Sequence, residues 1–111
     1  MTAEELYPVL STYAESQGIR LNRDREFVMD ILRGLLTNEQ RYGYRSCPCR
    51  LAWGTKEQDA DIICPCIYRD PDNKAYGSCY CELYVSTAWN EDGREHQQVP
   101  ERRPKEKRKM L

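Results

Sequence analysis

Six cysteines arranged as three Cys-x-Cys pairs constrain this chain more than any other feature of its sequence. The pairs are Cys-Pro-Cys at residues 47–49, Cys-Pro-Cys at 64–66 and Cys-Tyr-Cys at 79–81. The chain has 111 residues, which predicts one small domain of a size at which a hydrophobic core begins to need reinforcement. Disulfides, a metal centre or oligomerisation commonly supply it. The cysteine pairs are therefore the first place to look for both stability and function.

The cellular compartment decides whether these cysteines are expected to be oxidised. No apolar run approaches the roughly 20 residues that span a bilayer. The N-terminal sequence MTAEELYPVL lacks the basic and apolar regions of a signal peptide. We therefore expect a cytoplasmic protein without a membrane partner. Because structural disulfides are rare in that compartment, six cysteines indicate a metal centre, redox chemistry or both.

The charge is unevenly distributed along the chain, although its net value at pH 7 is only −1. Residues 101–111, ERRPKEKRKML, carry a net charge of +4, and residues 1–100 carry −5. A basic tail can bind nucleic acid, but an acidic body without a basic stripe is a poor binder of it. We expect residues 1–100 to form the domain and residues 101–111 to be a solvated, mobile tail, with no nucleic-acid partner.

The N-terminal half of the sequence predicts two amphipathic helices. Thr2 and Glu5 have the spacing of a capping box, and apolar residues then recur with helical spacing as far as Gly18. Asn22 is expected to cap a second helix, which ends at Gly43 as a C′ glycine. The apolar residues assigned to the two core-facing stripes are Leu6, Val9, Leu10 and Tyr13, and Phe27, Val28, Ile31, Leu32, Leu35 and Leu36.

The second half of the sequence has an irregular pattern from residue 45 onward. A short helix is expected to begin at Thr55, which stands three residues before Gln58 in a second capping-box spacing. Later segments carry turn or strand signals. They are a turn-rich stretch at 67–78, a β-prone or extended stretch at 83–87, a turn at 89–93 and extended coil at 97–106.

Three chemistries compete for the six cysteines. Structural zinc takes four ligands, usually from C-x(2–4)-C spacings, whereas the spacing here is shorter and the lone histidine, His96, lies in a distant polar stretch and is expected at the surface. A secreted disulfide scaffold would require export. A 4Fe-4S cluster needs four thiolates and would leave two for a redox-active dithiol. This count favours a cluster plus a disulfide, with a zinc-binding interaction domain and a simple iron–sulfur electron carrier as alternatives.

The order of the three pairs, the tetrapeptide CPCR and the helical segment before it resemble the catalytic (beta) chain of ferredoxin–thioredoxin reductase, over roughly residues 3–103. The resemblance implies a small, mainly α fold whose helices and irregular loops wrap around a 4Fe-4S cluster. The cluster ligands that it implies are Cys47, Cys64, Cys66 and Cys79. It further implies an active-site disulfide between Cys49, the exposed attacking thiol, and Cys81, which stays beside the cluster.

The same resemblance implies the reaction and its partners. Electrons would pass one at a time from a ferredoxin through the cluster to the disulfide. They would then reach thioredoxin or a glutaredoxin-like protein by thiol–disulfide exchange. A second subunit, as in that family, or a homo-oligomer is the expected assembly.

Four residues near the pairs have expected roles of their own. Tyr80 stands where the plant-type pattern has Cys-His-Cys, and we assign it the movement of a proton at the disulfide. A phenol, with an ordinary pKa near 10, is a weaker proton donor than imidazolium at neutral pH. Arg45, Arg50 and Arg69 flank the pairs. They are expected either to lower thiolate pKa values and attract an acidic ferredoxin or to form ordinary salt bridges.

Overall fold

The computed structural model describes residues 1–91 and 98–109. Its α-helices are α1 (Ala3–Ser16), α2 (Arg25–Tyr42), α3 (Lys56–Asp59), α4 (Arg69–Tyr76) and α5 (Thr87–Glu91), joined by short irregular loops. Its strands are β1 (Arg20–Leu21) and β2 (Tyr84–Val85), and 3-10 turns cover Ala60–Ile62 and Lys105–Lys107. The expectation of a small, mainly α fold is confirmed. None of the helices in the described ranges has the length and apolarity needed to cross a membrane.

The ends of α1 and α2 are set by their capping residues. The Thr2 hydroxyl accepts the backbone N–H of Glu5, and the Glu5 carboxylate accepts the N–H of Thr2, so the predicted capping box is formed. α2 ends at Gly43 in the left-handed conformation (φ 85°), as predicted. The prediction that Asn22 caps α2 is wrong, because Asp24 occupies the N-cap position. The Asn22 side chain instead accepts the backbone N–H of Asp24 at 2.9 Å.

One face of each long helix forms the core. The buried residues on these faces include Leu6, Leu10, Ala14, Val28, Leu32 and Leu35. Two residues of the predicted apolar stripes lie outside the core, since Val9 is 52% exposed and Phe27 is 37% exposed. Each residue turns an α-helix by about 100°, which carries these two side chains beyond the buried arc. The apolar face is therefore narrower than the sequence pattern indicates.

Most of the stretch 67–78 forms α4, which corrects the prediction of a turn-rich loop. Pro71 is the third residue of the helix, a position whose N–H would have no intrahelical partner. Asp70 and Asp72 lie in the first turn, where carboxylates interact favourably with the positive end of the helix dipole. Gly77 ends the helix with φ 78°. The residues that signal turns are thus accommodated at the two helix ends.

The short helix and strand of the second half agree in part with the predictions from the sequence. α3 follows Thr55 as predicted, but the Thr55 hydroxyl donates to the Gln58 side chain at 2.7 Å instead of capping the helix. β2 lies within the β-prone stretch and pairs antiparallel with β1, Leu21 opposite Tyr84. This pairing ties the helical half to the cysteine-bearing half.

The turn predicted for residues 89–93 is wrong for residues 89–91, which lie in α5. The Ser86 hydroxyl accepts the backbone N–H of Trp89 at 3.1 Å, so a side-chain acceptor stands at the start of this helix, where the first N–H groups need partners. The rest of the predicted turn, and His96, lie outside the described residues.

The C-terminal segment 98–109 packs on the body of the protein, which corrects the expectation of a solvated tail. Arg103 is 1% exposed, and its guanidinium donates to both carboxylate oxygens of Asp61, at 2.8 and 3.1 Å. Arg102 donates to Asp72 at 2.7 Å. The acidic body thus supplies carboxylates that hold the basic segment in place.

Candidate functional site

Each cysteine pair lies at a tight backbone turn. In each turn a backbone N–H donates to the carbonyl three residues earlier, which is the bond of a β-turn. The donor and acceptor are Arg50 and Cys47 (3.2 Å), Arg69 and Cys66 (3.2 Å), and Glu82 and Cys79 (2.9 Å). The first and third pairs therefore occupy the first and third positions of their turns rather than an extended strand.

A short antiparallel bridge holds the first two turns together. It pairs Ser46 with Ile63. The backbone N–H groups of Cys47 and Cys64 make hydrogen bonds of 2.8 Å across it. The first cysteines of two pairs that are 17 residues apart in sequence are in this way brought side by side.

The third pair is held in a hairpin closed by a bridge between Ser78 and Val85. Glu82, within the hairpin, has a φ of 60°, a conformation that is unfavourable for a residue with a side chain. Asn22 stabilises it, because its buried side-chain amide donates to the Glu82 carbonyl at 3.0 Å. Asn22 therefore supports the loop after Cys81.

The three turns surround a small pocket. Five cysteines, two arginines and two tyrosines line it: Cys47, Cys64, Cys66, Cys79, Cys81, Arg50, Arg69, Tyr80 and Tyr84. All six cysteines are free thiols, and Cys49 is exposed and is not among the lining residues. The four cysteines expected to ligate a cluster are thus in one pocket, and Cys81 is beside them.

One group of three neighbouring sulfur atoms differs from the expected ligand set. The Sγ atoms of Cys47, Cys49 and Cys81 all lie within 4.8 Å of one another, and those of Cys47 and Cys81 are 3.3 Å apart. A disulfide requires an S–S distance of about 2.0 Å, so a small side-chain movement would close one here. This trio combines one expected ligand with the two cysteines of the expected disulfide, and it could also hold a metal ion.

Hydrogen bonds among these sulfurs separate their pKa values. Hydrogen bonds with Cys47 and Cys81 lower the pKa of the Cys49 thiol below its ordinary value. The hydrogen bond with Cys49 raises the pKa of Cys47, and hydrogen bonds with both neighbours raise the pKa of Cys81. The exposed thiol is therefore the one that ionises most easily, which is the property of a reactive cysteine.

Arg50 connects the pocket to the C-terminal segment. Its buried guanidinium donates to both carboxylate oxygens of Glu101 at 2.9–3.0 Å. It also approaches the Sγ of Cys66 at 3.6 Å and lies 4.5 Å from the centroid of the Tyr80 ring. Burial raises the pKa of Cys66, and the charge of Arg50 opposes that shift. Sequence reasoning missed Glu101, because it assigned this residue to a mobile tail.

The other two flanking arginines differ in their placement. Arg69 lines the pocket, donates a hydrogen bond to the Tyr13 hydroxyl and lies near the rings of Tyr13 and Tyr84. Arg45 forms an ion pair with Glu39 at 3.1 Å and is absent from the lining. Its environment therefore matches the salt-bridge interpretation.

Gly34 is a second residue that sequence reasoning missed. It lies inside α2, where a Cβ atom would come within 2.8 Å of the Cβ of Pro48. Pro48 is the central residue of the first cysteine turn. The signal in the sequence was a glycine within a strong helix, which costs about 1 kcal/mol relative to alanine and indicates a close approach.

Tyr84 provides a test of whether the pocket fits an additional group. Its side chain is 1% exposed and lines the pocket. Its hydroxyl has no hydrogen-bond partner within the described part of the chain. Buried polar groups in folded proteins are almost always hydrogen-bonded. An unpartnered donor among sulfur-rich walls fits a group that brings its own acceptor atoms, as the sulfides of an iron–sulfur cluster do.

Comparison with models of known protein families gives a match over most of the chain. The family model described as ferredoxin thioredoxin reductase catalytic beta chain matches residues 2–107. The matched range includes the two long helices, the three cysteine pairs and most of the C-terminal segment. A search of the curated proteins found no match.

Proposed function

The chain belongs to the ferredoxin thioredoxin reductase catalytic beta chain family, and from this membership we propose that it is a cluster-dependent disulfide reductase. In this proposal a ferredoxin supplies electrons one at a time, and thioredoxin or a glutaredoxin-like protein receives them as a reduced dithiol in the cytoplasm. The observation that carries the proposal is the division of the cysteines. Five line one pocket, whereas Cys49 is exposed with its sulfur within 4.8 Å of that of Cys81.

Four thiolates match the requirement of a 4Fe-4S cluster. The residues that would hold the cluster are Cys47, Cys64, Cys66 and Cys79. A bound cluster supplies one-electron chemistry, which lets a one-electron donor serve the two-electron reduction of a disulfide. The bridge between Ser46 and Ile63 and the hairpin around the third pair fix the backbone at these cysteines.

The dithiol chemistry follows from the positions of Cys49 and Cys81. Two electrons open the disulfide between them. The Cys49 thiolate then attacks one sulfur of the target disulfide, forms a mixed disulfide and releases the other target sulfur as a thiolate. Cys81 next attacks the Cys49 sulfur, which releases the second target thiolate and restores the original disulfide. Two electrons, and two protons where the product thiolates are protonated, pass to the target in each cycle.

Tyr80 and Arg50 are polar residues adjacent in sequence to Cys81 and Cys49, respectively. We assign to the Tyr80 hydroxyl the donation of a proton to the dithiol, in the place of the histidine of the plant-type pattern. The Arg50 guanidinium, held by Glu101, lies against the Tyr80 ring and would fix its orientation. The expected assembly includes a second subunit or a second copy of the chain. The exposed apolar side chains available for such contacts include Leu51, Trp53 and Ile67.

The first experiment is purification without oxygen, followed by an absorption spectrum and counts of iron, sulfide, zinc and free thiols. The proposal expects about four irons and four sulfides per chain, with two further thiols that become reactive only after reduction. A colourless zinc protein would contradict it and would favour a zinc-binding interaction domain. A cluster without disulfide reductase activity would favour a simple electron carrier.

A matched pair of variants tests the roles within the first turn. Cys49→Ser should keep its iron and lose disulfide reduction, because it removes the attacking thiol. Cys47→Ser should lose iron, because it removes a ligand. Iron content and thioredoxin reduction with a ferredoxin donor are measured for both. Loss of iron in Cys49→Ser with retention in Cys47→Ser would mean that the two roles are exchanged.

A further inference from the structure

We propose that the Tyr84 hydroxyl donates a hydrogen bond to a sulfur atom of the cluster held by the four cysteines, and that this bond raises the reduction potential of the cluster. The inference rests on the proposed function, since it requires the cluster. It assigns to Tyr84 a role as a positioning and tuning residue, separate from the thiol chemistry of Cys49 and Cys81.

The first step is the position of the side chain. Tyr84 lies in β2, whose pairing with β1 holds the backbone. The Tyr13 ring meets it edge-on with centroids 5.9 Å apart, and the Arg69 guanidinium carbon is 5.7 Å from its centroid. The Tyr84 backbone N–H donates to the Sγ of Cys79 at 3.4 Å. The main chain of Tyr84 is thus held against Cys79, an expected ligand, and its ring lies near the side chains of Tyr13 and Arg69.

The second step is the absence of any other acceptor for the hydroxyl. Tyr84 is 1% exposed, so bulk water does not reach it, and no residue of the described chain accepts its proton. Arginine side chains carry donors only, and the remaining side chains of the pocket wall are cysteines and Tyr80. Leaving a buried donor unpaired costs free energy. The acceptors that best satisfy the hydroxyl are therefore sulfur atoms in the pocket.

The third step is the electrostatic consequence. Reduction adds negative charge to a cluster, and hydrogen bonds to its sulfurs are among the factors that set its potential. A donor stabilises the more negatively charged state more strongly than the oxidised state. Removing the hydroxyl should therefore make reduction harder, while leaving the four thiolates in place.

The test compares wild type with Tyr84→Phe, both purified with their cluster under anaerobic conditions. Phenylalanine keeps the ring and removes only the hydroxyl. We expect the midpoint potential of Tyr84→Phe to shift to a more negative value. We also expect the iron–sulfur stretching bands in resonance Raman spectra to lose part of the shift that D₂O produces in wild type. Unchanged potential and unchanged D₂O sensitivity would overturn the inference, since the hydroxyl would then bond elsewhere or to a buried water.

The matched control is Tyr44→Phe. Tyr44 is also buried, but its hydroxyl donates to Asp59 and it is not among the residues that line the pocket. The inference requires that this variant keep the wild-type potential, and an equal shift in Tyr44→Phe would overturn it. If Tyr84→Phe fails to load a cluster, the midpoint potential is measured instead for protein with a fluorinated tyrosine incorporated at position 84. Its phenol is a stronger donor, so the potential should become more positive, and no shift or a negative one overturns the inference.

The same measurements separate this inference from the proposed function. Wild-type protein without an iron–sulfur cluster contradicts the proposed function. A different outcome contradicts only the role of Tyr84. In that outcome wild type has a cluster and reductase activity, but substitutions at position 84 leave the midpoint potential unchanged.

Discussion

Arg50 acquires its surroundings from residues that are distant in the sequence. Its guanidinium lies between the Glu101 carboxylate, the Cys66 sulfur and the Tyr80 ring. Because the carboxylate fixes the guanidinium bidentately, the positive charge stays directed at the pocket. A single residue thus links the C-terminal segment, a cysteine turn and the proposed proton donor. Arg50 therefore fits both roles predicted for it, because its ion pair with Glu101 is also what holds its positive charge near the Cys66 sulfur.

Tyr80→Phe tests the assignment of proton transfer. The variant keeps the ring that packs under Arg50 and loses only the hydroxyl. We expect a rate of disulfide reduction about tenfold to a hundredfold lower, at the low end of general acid–base contributions, and Tyr80→His should be tolerated because imidazole can also move the proton. Steady-state rates across the pH range check this. Equal turnover in Tyr80→Phe at every pH would make Tyr80 a packing residue.

At the scale of elements, α2 acts as the support for the first cysteine turn. Gly34 presents no side chain to Pro48, so the turn approaches the helix closely. The turns of the second and third pairs are supported by other elements, α4 and the hairpin that contains β2. Each pair therefore has its own support. Leu32 and Leu35 of α2 share the hydrophobic core with Tyr84 of β2, and α4 contacts β2.

Gly34→Ala tests this support. Alanine in place of a helix-interior glycine ordinarily stabilises by about 0.5–1 kcal/mol. Here the new methyl would meet Pro48 at 2.8 Å, and overpacking typically costs about 1–3 kcal/mol. We expect a lower free energy of unfolding and a changed alkylation rate at Cys49. Thr37→Ala, at an exposed position of the same helix, is the control and should change neither. A stabilised Gly34→Ala protein with an unchanged alkylation rate would refute the close packing.

At the scale of the whole molecule, the acidic body and the basic C-terminal segment hold each other. Arg103 is the centre of this contact, with Asp61 at 2.8 Å and Asp59 at 3.7 Å. The Tyr68 hydroxyl also donates to Asp61, at 2.7 Å. Burial alone would raise the pKa of Asp61, but the hydrogen bonds from Tyr68 and Arg103 outweigh it and lower that pKa. The segment that carries Glu101 to Arg50 is therefore anchored by a buried ion pair.

Arg103→Leu should destabilise the protein by about 3–5 kcal/mol, because it leaves buried carboxylates without their partner. Lys105→Leu, at an exposed position of the same segment, should have little effect. Denaturant unfolding without oxygen measures both. A double variant, Arg103→Leu with Asp61→Leu, should lose less than the sum of the two single losses, since it removes both charges. Additive losses would mean that the pair contributes no coupling energy.

Cys64→Ser tests whether cluster ligation is part of the folding free energy. Two amphipathic helices and a loop-rich second half bury a small core, so loss of a ligand should give a colourless protein with a lower thermal transition. Cys49→Ser, which alters an exposed thiol outside the expected ligand set, should keep the colour and the transition. A native-like transition in colourless Cys64→Ser would show that the fold does not depend on the cluster.

The helices of the N-terminal half could be predicted from the sequence alone, because they depend on interactions between residues close together in the chain. The capping box at Thr2 and the C′ glycine at Gly43 depend on residues within one helical turn. The spacing of the buried leucines depends only on the helical repeat. The count of six cysteines in three pairs led to the family because it too is a property of the chain itself. The cluster ligands and the disulfide partners remain predictions made on that basis.

Only the tertiary structure decided which residues meet around the cysteines. Asn22 is a support for Glu82 instead of a cap, Gly34 makes room for Pro48, and Glu101 reaches Arg50 from the far end of the chain. Most of the stretch 67–78 is helical because Pro71 and two aspartates fall in the first turn and Gly77 follows the last. Turn propensities do not contain this information about where each residue lies along the helix. Contacts of this kind depend on how the elements pack, because side chains far apart in sequence interact only after the core has placed them together.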